Sequence, residues 1–231
     1  IPNLEVPHEI AKSRKQLTAN VFERASRLRN QIRRMNHGRI TCLIPTHNRA
    51  AFLRRLLHFY TQFGQDLSFL VLDSSGPQEA AENRVAVEAV HDILELDYRH
   101  CDRNFFDKCT WGLEQVRTPY VVLCADDDVL FPETVGKAVE FLQDEPSFAS
   151  AMGKIVEVST MRRPWRRSIK ILKGGPIRQE RPMDRCRHPI RFSTFYAVHR
   201  TSVLLEILHA IVSKIDSKVT LHLHEMSLKL L

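Results

Sequence analysis

The chain has 231 residues, 43% of them apolar and 26% charged, with a formal net charge of +7 at pH 7. That is enough chain for one sizeable hydrophobic core, in an ordinary globular composition, and the positive excess points to anionic partners such as nucleotides, nucleic acid or an acidic membrane surface. No apolar run approaches the ~20 residues that span a bilayer, and five Cys without a paired spacing exclude a disulfide scaffold or a zinc site and suggest free thiols of a reducing compartment.

Residues 1–38 read as a basic amphipathic helix, with Leu17, Val21, Ala25, Leu28, Ile32 and Met35 at spacings of three and four. It could be a coiled-coil seam, a membrane-surface helix or an arm packed on the domain. After Asn36-His37-Gly38 an alternation of strands and helices begins over residues 39–159. Ile40 to Ile44 predicts a strand, and the Thr46-His47-Asn48-Arg49 turn leads to a helix burying Phe52, Leu53, Leu56, Leu57 and Tyr60 before Gly64. Phe69 to Leu72 predicts a second strand, ending at Asp73-Ser74-Ser75-Gly76. A helix over Ala80–Val90, a strand over Ile93–Tyr98 and a helix over Phe106–Val116 follow.

The apolar run Tyr120–Ala125 then ends in Asp126-Asp127-Asp128. Three adjacent carboxylates repel one another, and near a buried strand they need compensation. One Asp would serve as a helix cap ahead of Pro132; three suit a divalent cation, which takes hard oxygen ligands and can bridge to phosphate. Pro132 opens a further helix, and Ala149–Val158 predicts one more strand. Residues 160–191 form an expected basic, flexible loop containing Arg162-Arg163-Pro164-Trp165-Arg166-Arg167, which reads as a lid over a diphosphate, a contact to an anionic membrane, or a solvated loop. Residues 192–231 resume with a strand near Phe192–His199, a helix over Ser202–Val212 and a short helix near Glu225. The chain starts at Ile1 and stops inside an apolar helical pattern, so truncation at both ends is expected.

Repeated βα units predict a three-layer α/β/α sandwich on a mostly parallel, Rossmann-like sheet, with ligands bound beyond the carboxyl ends of the strands. Thr46–Arg49, Asp73–Gly76 and Asp126–Asp128 all fall at that edge. Neither a P-loop nor a Gly-x-Gly-x-x-Gly fingerprint occurs, so phosphate is left to metal and basic side chains.

Ile40-Thr41-Cys42-Leu43-Ile44-Pro45-Thr46-His47-Asn48-Arg49, Val71-Leu72-Asp73-Ser74-Ser75, and Thr118-Pro119-Tyr120 through Asp126-Asp127-Asp128 together resemble the family-2-like glycosyltransferases of GT-A fold, in order and spacing. The resemblance implies a metal-dependent, inverting transferase using a nucleotide-diphosphate sugar, UDP-linked, and an unidentified glycan, lipid or protein acceptor. It places Pro45, Thr46, Asn48, Arg49 and Ser74 along the nucleotide, with Asp73 accepting from the base. Asn104 and Lys108 stand where the family has an Asn-x-Gly and a basic residue. Asp126 and Asp128 are the implied DxD carboxylates, one contacting the ribose or sugar and the other binding Mn²⁺ or Mg²⁺, with Asp127 able to share either task, because the register of the motif is shifted at Ala125. The general base of an inverting transferase is implied at a helix start after the DxD motif, giving Glu225 first and Asp184 second; a first-turn helix acid is the alternative for Glu225. The processive Gln-x-x-Arg-Trp motif does not occur, which favours addition of one sugar. The expected setting is cytoplasmic, with peripheral contact at the inner face of a membrane. A nucleic-acid-binding protein using the basic clusters explains the charge but not the carboxylates, and the Gly-rich opening of a nucleotidyltransferase is missing.

Overall fold

The structure is a computed structural model, and it describes residues 38–64, 66–160, 167–172, 177–181, 184 and 194–214. Strand β1 (Ile40–Thr46) is buried along its whole length. A strand covered on both faces has no polar side to alternate, which is why its sequence is a near-continuous apolar run. Helix α1 (Ala50–Phe63), strand β2 (Ser68–Asp73), helix α2 (Pro77–Glu88), strand β3 (Glu95–His100), helix α3 (Phe105–Leu113) and strand β4 (Tyr120–Leu123) follow in alternation. Helix α4 (Pro132–Asp144) precedes the short strand β5 (Ser150–Ala151), and the described residues continue with β6 (Ile155–Thr160), β7 (Arg167–Leu172), a 3-10 turn at Thr194–Tyr196, β8 (Val198–Arg200) and helix α5 (Thr201–Lys214).

Among the described residues the main sheet has six strands, in the order β3-β2-β1-β4-β8-β5. β3, β2, β1 and β4 run parallel, with Ile44 opposite Val71 and Cys42 opposite Val122, while β8 lies antiparallel to both β4 and β5. Successive side chains of β1 point to opposite faces. Ile40, Cys42 and Ile44 join a core with Leu53, Leu57 and Tyr60 of α1 and Val135, Val139 and Leu142 of α4. Leu43 joins the opposite core, with Phe106 and Leu113 of α3 and Leu204, Leu208 and Ile211 of α5. The result is the α/β/α sandwich that the alternation predicts. The four described cysteines are free thiols.

Several local expectations differ from the structure. Ala149–Val158 is not one strand: β5 belongs to the main sheet, and after Gly153 the chain leaves it as β6, which among the described residues pairs with β7 in a separate two-stranded ribbon. Part of the expected basic loop is thus the strand β7. Phe52, expected in the core, is 37% exposed; it lies under the guanidinium groups of Arg49 and Arg55, at 4.4 and 4.9 Å from the ring centroid. β3 starts at Glu95 rather than Ile93, because Ile93 is still in the turn, its N–H donating to Val90 O. The N-terminal helix, Arg162 to Arg166 and Glu225 lie outside the described residues. No described helix is long and apolar enough to cross a membrane.

Candidate active site

From β1 the chain runs to β2 on one side, and β4 occupies the other side of β1. The crevice beyond the carboxyl ends of β1 and β4 is therefore the topological switch point, where open α/β sheets bind ligands. Backbone bonds extend the ladder past the strands and hold the loops level: Cys124 N–H donates to Leu43 O (3.0 Å), Ser74 N–H to Thr46 O (3.2 Å) and Cys101 N–H to Asp73 O (2.8 Å).

The carboxylate triplet follows β4 on a turn closed by Asp128 N–H donating to Ala125 O (3.2 Å). Its three members have different surroundings. Asp126 is 3% exposed; Thr46 Oγ1 donates to its Oδ2 at 2.7 Å and Arg49 Nε lies 3.2 Å from its Oδ1. Burial pushes the Asp126 carboxyl up, and the Thr46 bond and Arg49 charge only partly offset it, leaving it above the usual carboxylate range. Asp127 turns outward and receives Arg49 Nη2 at 2.5 Å. Asp128 is exposed and accepts from the Tyr196 hydroxyl. Burial, and then the Asp128 partner, push that phenol well above its ordinary value, so it is a donor at every physiological pH. The repulsion within the triplet is thus relieved by a hydroxyl and a guanidinium from the β1 turn and a phenol from the 3-10 turn before β8.

Asp73 ends β2 fully buried. Its Oδ1 accepts from Ser75 N–H (2.7 Å), and its Oδ2 from Asn83 Nδ2 (2.9 Å) and Tyr98 OH (2.5 Å). Burial pushes this carboxyl up, but the donors from Ser75, Tyr98 and Asn83 outweigh it and hold the group below its ordinary value. The turn so fixed carries Asn48: its N–H donates to Ser75 Oγ (2.7 Å) and its Oδ1 accepts from Gly76 N–H (2.8 Å). Asn48 has φ 53°, a left-handed conformation that Asn tolerates better than most residues. His47 Nδ1–H donates to Ser74 O at 2.7 Å. Behind these loops the buried Lys108 donates to Thr46 O (2.7 Å) and Ser74 Oγ (2.8 Å), and burial lowers its pKa.

The structure therefore brings together Pro45, Thr46, Asn48, Arg49, Asp73, Ser74, Lys108 and the triplet at one sheet edge. Asn104 is the N-cap of α3, its side chain accepting from Asp107 N–H and donating to the Asp107 carboxylate. Asp184 N–H donates to Arg181 O (3.1 Å). Tyr98, Asn83 and Tyr196 escape a sequence reading, because each looks like ordinary strand, helix or turn composition until the fold sets it beside a carboxylate. Glu79 also escapes it: its Oε2 accepts from Ala50 N–H (2.7 Å), so the second helix caps the first.

Among the described residues no three His, Cys, Asp or Glu side chains converge to hold a metal ion. The exposed carboxylates of Asp127 and Asp128 are hard oxygen donors at the open edge. That set fits a Mg²⁺-type cation, which is held by one or two carboxylates and completed by substrate phosphates and water.

Among solved structures, TarS of S. aureus is similar at 17% identity and TM-score 0.49, over 73% of this chain and 29% of that one. TarS residues 1–349 in complex with UDP-GlcNAc match at 16% and 0.49, over 73% of this chain and 47% of that one. The mannosyltransferase PcManGT from Pyrobaculum calidifontis, in complex with GDP-Man and Mn²⁺, matches at 20% and 0.43, over 59% and 44%. The chain thus spans less than half the length of each of these proteins. No curated protein matches the sequence. The family profile of glycosyl transferase family 2 matches residues 41–208, well over half of the chain and every loop of the site. On that match the chain belongs to glycosyl transferase family 2.

Proposed function

We propose that this chain moves a sugar from a nucleotide-diphosphate donor, UDP-linked, to a hydroxyl acceptor with inversion, using Mn²⁺ or Mg²⁺ at Asp128. The observation that carries the reading is the convergence of the β1 turn on the triplet at the β1/β4 crevice, where Thr46 and Arg49 engage Asp126 and Asp127.

The two implied metal carboxylates differ in a way that favours one. Asp126 is buried with both oxygens engaged, so it acts as the strut that ties β4 to the β1 turn. Asp128 is exposed and serves as the metal carboxylate, with Asp127 beside it. Asp73 is likewise too buried to meet the base directly; it sets the Ser75 and Asn48 loops, and the nucleotide base lies against the more exposed Ser74 and Asn48. Lys108 fixes the two loops from behind and adds positive charge under the phosphates. When bound, the cation neutralises the departing diphosphate. The acceptor oxygen bonds to the anomeric carbon as the bond from that carbon to the diphosphate oxygen breaks, and a carboxylate base takes the acceptor proton. Glu225, or second Asp184, is proposed for that base from the sequence alone. The acceptor is a glycan, a lipid or a protein hydroxyl.

A screen of nucleotide sugars for Mn²⁺-dependent thermal stabilisation tests the reading, because a ligand bound only by the native state raises apparent stability. A UDP-sugar that raises Tm only with Mn²⁺ is the expected result. Salt-sensitive nucleic-acid binding with no metal-dependent nucleotide binding contradicts it.

A further inference from the structure

We propose that Tyr196 is a positioning residue for the donor-site cation, presetting the Asp128 carboxylate through its hydroxyl; this rests on the reading of Asp128 as the metal carboxylate. The contact joins residues far apart in the chain, the triplet after β4 and the 3-10 turn before β8. Its placement is built into the sheet. β8 pairs antiparallel with β4, Val198 opposite Val122 and His199 opposite Val121, so continuing that register brings Tyr196 level with the end of β4. The turn that carries it is fixed by Ala197 N–H donating to Thr194 O (2.9 Å) and by His199 Nε2–H donating to the same carbonyl (2.9 Å). The Tyr196 ring packs edge-on against Phe195, centroids 5.0 Å apart, and Phe195 lies against Phe105 of α3.

An exposed aspartate on a turn samples several rotamers and loses that freedom when it takes a cation. Tyr196, half-buried and held by its neighbours, removes part of that loss in advance by engaging Asp128 Oδ2. Asp126 has no such need, because Thr46 and Arg49 already fix it. Partners that orient a metal carboxylate typically change metal affinity by about 10–100-fold when removed. The sheet's antiparallel extension thereby reaches the donor site through one hydroxyl.

The test is a Mn²⁺ titration in saturating UDP, with free Mn²⁺ read by EPR, on wild type, Tyr196→Phe and Asp128→Asn. Tyr196→Phe keeps the ring and removes only the hydroxyl. It is expected to weaken Mn²⁺ binding by about 10-fold or more, with Tm in EDTA close to wild type, while Asp128→Asn abolishes binding and the double variant is no worse than Asp128→Asn. If Tyr196→Phe does lose stability in EDTA, its Mn²⁺-induced rise in Tm reads the metal contribution separately. Wild-type or tighter Mn²⁺ binding by Tyr196→Phe, with binding lost in Asp128→Asn, overturns the role of Tyr196 and leaves Asp128 standing. Unchanged binding in Asp128→Asn overturns both.

Discussion

Replacing Arg49 by Met removes the guanidinium that bridges Asp126 and Asp127 while keeping the apolar stem over Phe52. Asp126 is 3% exposed and would keep only the Thr46 hydroxyl as a close partner, with the Lys108 charge further off. A hydrogen bond to a charged group contributes about 1.5–3 kcal/mol, and an exposed ion pair about 0–1. Arg49 is 39% exposed, so screening discounts the first figure, and a loss of about 1–2 kcal/mol near neutral pH is expected, or roughly 2–8 °C in Tm. The pH dependence carries the sign. Asp126 has a folded pKa above its unfolded one, so its protonation favours folding in acid, and that contribution is lost as pH rises through the folded pKa. Removing Arg49 raises the folded pKa further, so the deficit of Arg49→Met is largest at neutral pH and shrinks in acid. Urea denaturation at about pH 7.5 and about pH 5 reads it. The same substitution in an Asp126→Asn background is expected to cost distinctly less. A deficit independent of pH, and equal in both backgrounds, refutes the strut assignment.

Asp73→Asn replaces one of the two acceptor oxygens by an NH₂, which must face either Ser75 N–H or the Asn83 and Tyr98 donors, and is expected to cost about 2–3 kcal/mol in urea denaturation. The wild-type carboxyl, held below its ordinary value, contributes stability above its unfolded pKa and loses it as pH falls through the folded one; the Asn variant lacks this acid-side loss. Gly112→Ala would bring a Cβ to 2.3 Å from Leu72 Cδ1, between α3 and β2, and is expected to cost about 1–3 kcal/mol. A thermal melt equal to wild type would show that Leu72 can shift freely.

The parallel half of the fold is legible in the sequence, because β1, β2 and β4 are buried on both faces and read as unbroken apolar runs between helical periods. β5, β6 and β7 are not, since two residues of β5 carry no period and the β6–β7 ribbon exposes Val156, Val158, Ile169 and Ile171 instead of burying them. The candidate site is legible where charge sits at strand ends, as at Asp73 and the triplet. Its division of labour is not, because the roles of Asp126 and Asp128 depend on which distant side chain reaches each. Thr46 and Tyr196 lie 80 and 68 residues away from their respective carboxylates, and only the sheet order brings them there.

The most direct measurement is a calorimetric titration of UDP into wild type and Asp128→Ala, with Mn²⁺ and with EDTA. The β1/β4 crevice as a metal-assisted nucleotide-sugar site predicts UDP binding that Mn²⁺ strengthens in wild type, and an Asp128→Ala protein that stays folded but shows no Mn²⁺ enhancement. Equal UDP affinity in Mn²⁺ and EDTA for wild type, or full Mn²⁺ enhancement in Asp128→Ala, contradicts it.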